Sequence, residues 1–145
     1  MRLDARLREY DVGERAGLTE AEFAERLPAE HAAWRAGHIV GHVAGAETPA
    51  ELAARMTPAL REIHAATPAG GTSVVVSHGA ALRTCLGALL GWPEEQAGLM
   101  RPLDNCGWAV VEDAPHDRGL RLASYNETVH AGDHDPDFTS DSPVG

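Results

Sequence analysis

Lysine is absent from the 145 residues, so the basic complement is twelve arginines set against 22 acids. The resulting net charge of −10 repels phosphate-rich polymers and argues against a nucleic-acid partner. A small anionic ligand remains admissible where arginines, histidines and backbone N–H groups make a local positive pocket. The missing lysine, beside abundant Ala, Gly and Arg, reads as an imprint of codon usage. No apolar run approaches the roughly 20 residues of a membrane span, and Met1-Arg2-Leu3-Asp4-Ala5-Arg6 holds no signal-peptide core. The expectation is a cytoplasmic chain with no membrane partner. Cys85 and Cys106 are the only cysteines, far apart and flanked by apolar or turn residues, which predicts buried free thiols rather than a disulfide or metal pair. The 43% hydrophobic and 23% charged composition suits one domain with a single core, and folding it removes roughly 70% of the unfolded surface from water.

Helix signals are clear at three places. Thr19-Glu20-Ala21-Glu22 is a capping-box pattern, so a helix starts there, Pro28 interrupts it, and Glu30 to Trp34 form a second short helix. Residues 36–47, with Gly37, Gly41 and Gly45, read as a loop. Thr48-Pro49-Ala50-Glu51 opens the strongest helix; Leu52, Met56, Leu60 and Ile63 recur at helical spacing, with Glu51, Arg55, Arg61 and Glu62 toward solvent. Pro68-Ala69-Gly70-Gly71 ends it. Ser73-Val74-Val75-Val76-Ser77 is predicted as a strand covered on both faces. A helix follows from Ala80, with Ala81, Leu82, Cys85, Leu86, Leu89 and Leu90 on its apolar face and Gly91-Trp92-Pro93 as its stop. Residues 108–112 and 120–125 read as a hairpin, and 131–145, with four Asp and two Pro, as a poorly ordered acidic tail behind a 1–130 domain.

The strongest chemical signal is Val74-Val75-Val76-Ser77-His78-Gly79. It sets His78 at the carboxyl end of a strand and the start of a helix, where open α/β sheets build ligand sites. Free N–H groups and the helix dipole favour an anion there, and Gly79 lets a ligand approach the backbone. The plainer alternative is that His78 only caps the helix. The charged stretch from Asp4 to Thr19 is on its own a solvated strip; within it, Glu9 is the carboxyl that a pocket would use as a proton donor. His38 and His42, with His31, His130 and His134 and the flanking Asp133 and Asp135, invite a metal reading. His38-Ile39-Val40-Gly41-His42 lacks the glutamate beside its first histidine that a zinc-protease helix carries, and Gly37 and Gly41 disfavour a helix. No metal and no cofactor are expected.

Five segments together resemble the histidine phosphatase superfamily, the phosphoglycerate-mutase-like proteins. They are Arg6-Leu7-Arg8-Glu9 with Gly13 and Gly17-Leu18-Thr19; Gly45-Ala46-Glu47-Thr48; Val75-Val76-Ser77-His78-Gly79; Leu103-Asp104-Asn105-Cys106-Gly107; and Tyr125-Asn126 followed by His130. Order and spacing hold from Asp4 to about His130. Arg15 and Ala16 depart from a common tryptophan and glutamate, and Ala46 from a glycine. The resemblance implies a three-layer α/β fold, helix-sheet-helix, with its N-terminal strand-helix-strand unit missing, because the family's nucleophilic histidine sits in an arginine-histidine-glycine motif and this sequence contains none. Loss of that first strand would leave Val74 to Val76 without neighbours and favour association into a homo-oligomer.

The same resemblance implies the chemistry. In the family the first histidine attacks phosphorus and becomes a phosphohistidine, two arginines and a second histidine hold the phosphoryl oxygens, and a glutamate protonates the departing alkoxide. His78 matches the second histidine and Glu9 the glutamate, with His78 and Gly79 as the phosphate-binding pair. Arg6, Arg8 and Arg83 match neither clamp arginine. The expected function is hydrolysis of small phosphomonoesters by an N-terminally truncated form without its nucleophile. The alternative is a non-catalytic module that binds a phosphate ligand or a protein.

Overall fold

A computed structural model describes residues 1–37, 43–93, 96 and 99–129. The 131–145 tail, and His38, His42, His130, His134, Asp133 and Asp135, lie outside the described residues. Contacts divide the chain into two compact units, one of Met1–Tyr10 and Pro49–Val129 and one that includes Asp11–Thr48.

In the first unit a 3-10 turn, Ala5–Leu7, precedes two helices, α3 (Pro49–Ala66) and α4 (Gly79–Leu90), and the strands β1 (Trp108–Asp113) and β2 (Leu120–Glu127). Leu52, Met56 and Ala59 of α3 and Ala81, Cys85, Leu86 and Leu89 of α4 are buried, so the two apolar stripes meet. Full burial of a side chain such as Leu52 contributes about 1.5–3 kcal/mol. Cys85 lies in this seam with its Sγ 3.7 Å from Thr57 Oγ1, and burial pushes its thiol up. Gly91 stops α4 in the left-handed region, with Trp92 N–H returned to Gly87 O at 2.9 Å. Two expectations are corrected. Cys106 is an exposed free thiol, at a φ of +60° in the turn before β1. Arg55 is half-buried rather than solvent-facing, because chain carbonyls from the N-terminal segment close over its guanidinium.

The strand predicted at Val74–Val76 is a third correction. The sheet among the described residues is the antiparallel pair β1–β2, and residues 73–77 join no ladder. Val74 and Val76 are 84% and 86% exposed. A β-branched run becomes a strand only when a neighbour takes up its backbone groups, and none of the described residues does so.

The second unit holds α1 (Glu20–Arg26) and α2 (Pro28–Arg35). The capping box forms as read, with Glu22 N–H donating to Thr19 Oγ1 and Thr19 N–H to Glu22 Oε2. Pro28 separates the helices by starting the second, where its missing N–H costs nothing. Phe23 is fully buried and packs with His31 and Trp34, while the Arg15 guanidinium sits 4.8 Å and 4.5 Å from the Phe23 and Trp34 ring centres. Arg15 thus stacks on aromatic faces at a position where the resemblance expects an aromatic. Gly13, at a φ of +57°, admits no side chain, since a Cβ there would lie 2.2 Å from Ala44 O. That close approach lets Glu14 N–H reach Ala44 O and Glu47 N–H reach Asp11 O.

Candidate functional site

His78 is the N-cap residue of α4, with φ −115° and ψ 153°, and its exposed side chain makes no capping hydrogen bond. The capping alternative therefore does not account for it. The acceptor at this helix end comes from elsewhere in the chain. Glu9 Oε1 takes the N–H of Ala81 at 2.9 Å and that of Tyr10 at 2.9 Å. His78 and Glu9, distant in sequence, thus share one helix terminus. With Ala81 occupied, the N–H groups of Gly79 and Ala80 have no partner among the described residues, and they point along the dipole toward any anion placed there.

Four contacts hold Glu9 in place. Arg55 on α3 spreads its fork over the carbonyls of Arg6 at 2.7 Å, Arg8 at 3.0 Å and Glu9 at 2.9 Å. Ser77 Oγ donates to Leu7 O at 2.6 Å, one residue before His78. Tyr10, buried, donates its hydroxyl to Thr84 Oγ1 at 2.8 Å on the second turn of α4. Last, Arg6 makes a two-pronged pair with Glu62 at 3.0 and 2.7 Å and also binds Asp4. Arg6 is committed to that pair. Sequence reading missed Arg55 and Ser77, since an arginine that binds irregular backbone leaves no periodic signal.

Gly79 faces the loop that precedes β1, its Cβ position 3.7 Å from Leu103 O. A clasp shapes that loop. Asn126 sits at a φ of +56° beside a register shift in the hairpin, and its amide both accepts from Asp104 N–H at 2.7 Å and donates to Asp104 Oδ2 at 2.9 Å. Asparagine tolerates this left-handed conformation, which turns its amide back onto the loop. Tyr125 adds a bond from its hydroxyl to Arg101 O at 2.6 Å; burial pushes that phenol up, and the nearby Arg83 and Arg101 oppose the shift.

A family model for the histidine phosphatase superfamily (branch 1) matches residues 1–128. The chain belongs to the histidine phosphatase superfamily. Among relatives of this superfamily, glucosyl-3-phosphoglycerate phosphatase of Mycobacterium tuberculosis is 31% identical over 119 residues, covering 77% of this chain and 52% of that protein. A probable phosphoglycerate mutase of Yersinia enterocolitica is 37% identical over 134 residues, covering 88% of this chain and 60% of that one. The mycobacterial glucosyl-3-phosphoglycerate phosphatase solved with VO3 superposes with a TM-score of 0.72 at 29% identity, over 88% of this chain and 65% of that one. The α/β fold is that of the histidine phosphatases. The chain spans 52% and 60% of the length of these two sequence relatives.

Of the remaining histidines, His31 stands against Phe23 and Trp34 with Glu20 at 3.4 Å. Among the described residues no three His, Cys, Asp or Glu side chains converge as metal ligands. No helix among them is long and apolar enough to cross a membrane.

Proposed function

We propose that these residues carry the phosphoryl-holding and proton-transfer side of a site for small phosphomonoesters. His78 donates a hydrogen bond to the transferring phosphoryl group, Gly79 offers backbone N–H to its oxygens, and Glu9 moves the proton of the leaving-group oxygen. The observation that supports this most is the fastening of Glu9 to the first turn of the helix that His78 opens. Substrates of the relatives' kind, such as glucosyl-3-phosphoglycerate for the mycobacterial phosphatase, are phosphomonoesters of this class. Hydrolysis is the simpler reaction, since water alone completes its cycle.

On this reading the phosphohistidine forms on a nucleophile that residues 1–145 do not contribute by motif, because they hold no Arg-His-Gly sequence. The pairing of Arg6 with Glu62 and Asp4 also favours a second reading, a module that binds phosphate without turning it over. Hydrolysis of p-nitrophenyl phosphate by the purified chain, with His78→Ala beside it, tests the division of roles. The expected outcome is no turnover above the variant's. Turnover that vanishes with His78 would place the nucleophile within these residues and overturn it. The intact mass in the cells of origin separates the two readings: a mass above 15.4 kDa favours the phosphatase, and that mass itself the binding module.

A further inference from the structure

The consecutive carbonyls of Arg6, Leu7, Arg8 and Glu9 each accept a hydrogen bond from a side chain. Arg55 Nη1 donates to Arg6 O at 2.7 Å and to Arg8 O at 3.0 Å, Arg55 Nη2 donates to Glu9 O at 2.9 Å, and Ser77 Oγ donates to Leu7 O at 2.6 Å. These donors arrive from different places: Arg55 is half-buried on α3, and Ser77 directly precedes His78. A stretch whose carbonyls are held by side chains takes its position from those side chains. The hold continues along α3. Glu62, about two turns beyond Arg55 and so on the same face, takes Arg6 Nη1 and Nη2 at 3.0 and 2.7 Å. At the far end of the stretch the Glu9 carboxylate reaches Ala81 N–H in the first turn of α4.

We propose that Arg55 is a positioning residue for Glu9: its grip on three carbonyls fixes where the Glu9 carboxylate stands at the helix end that His78 opens. This rests on the proposed role of Glu9 in proton transfer and adds the residue that aims it. Displacing a reacting group by about 1 Å costs up to about a hundredfold in rate, so a residue that sets this position acts on the chemistry through the backbone. The three carbonyls need donors that are splayed and fixed in one plane. A guanidinium supplies them, whereas a lysine ammonium gathers its three donors on one nitrogen.

Hydrogen exchange at two neighbouring amides of the isotope-labelled full chain tests it. Ala81 N–H is held by Glu9 at 2.9 Å, and Leu82 N–H is held within the helix by His78 O at 2.9 Å. A loss of overall stability speeds both amides together, so the ratio of Ala81 to Leu82 exchange isolates the hold of Glu9. Arg55→Ala is expected to raise that ratio about tenfold or more, as Glu9→Ala does, and to add nothing further in the Glu9→Ala background. Leu52→Ala, which destabilises the buried side of α3, is expected to leave the ratio alone. Arg55→Lys keeps the charge and carries the comparison should the alanine variant not fold; it is expected to raise the ratio about threefold or more. A ratio unmoved by either Arg55 variant, a ratio moved as much by Leu52→Ala, or a full further rise when Arg55→Ala is added to Glu9→Ala would overturn the proposal. Neither ligand nor turnover enters this measurement, so its failure is distinct from a failure of the phosphomonoester reading, which phosphate binding at Gly79 and Ala80 tests.

Discussion

Glu9 does at a distance what a serine or aspartate normally does at the N-cap. Its Oε1 satisfies the N–H of Ala81 and that of Tyr10, so one carboxylate closes the first turn of the helix that His78 opens. Removing it strands two donors in a partly covered place. Glu9→Ala should therefore lower the unfolding free energy by about 1–2 kcal/mol, read as a shift in the urea midpoint, while Glu9→Gln, which keeps an acceptor oxygen, recovers most of the loss. Equal losses in both variants would contradict the contact. His78, Gly79 and Glu9 stand out in the sequence because each lies in a motif, whereas the reach of Glu9 to the first turn of α4 does not. Nor does Arg55, since its partners are the carbonyls of Arg6, Arg8 and Glu9, and backbone acceptors have no residue identity to read.

The 3-10 turn Ala5–Leu7 is joined to α3 by charge. Hydrogen bonds from Arg6 hold the Asp4 carboxyl at about 2, well below the usual range, and lower that of Glu62 as well, with desolvation opposing in both cases. Carboxyls depressed in this way bind fewer protons folded than unfolded, so their contribution is present above about pH 4 and is lost as pH falls toward about 2. Stability followed by urea unfolding at a series of pH values should fall through that window, and Asp4→Asn should flatten the slope. Because these groups are exposed, salt should shrink the effect. Among the elements, α1 and the start of α4 were readable from caps and glycines. The valine run was not, because strand formation depends on a partner that no local pattern supplies. Nor was the register shift beside Asn126, which rests on one residue's tolerance of a positive φ.

At the scale of the molecule, family membership rests on a match over residues 1–128, and the proposed chemistry rests on one helix end. The chain spans 52% of the mycobacterial phosphatase and 60% of the probable mutase. What the described residues bring together is an acceptor carboxylate, an uncapped histidine and the two open N–H groups of Gly79 and Ala80. That constellation suits an anion even though the chain as a whole repels one. The most direct measurement is a titration of the isotope-labelled chain with inorganic phosphate, followed at the amide signals of Gly79 and Ala80. The account predicts saturable shifts at those two amides, with the affinity reduced about tenfold or more in His78→Ala. Amides of Gly79 and Ala80 that stay still, or that shift equally in His78→Ala, would contradict it.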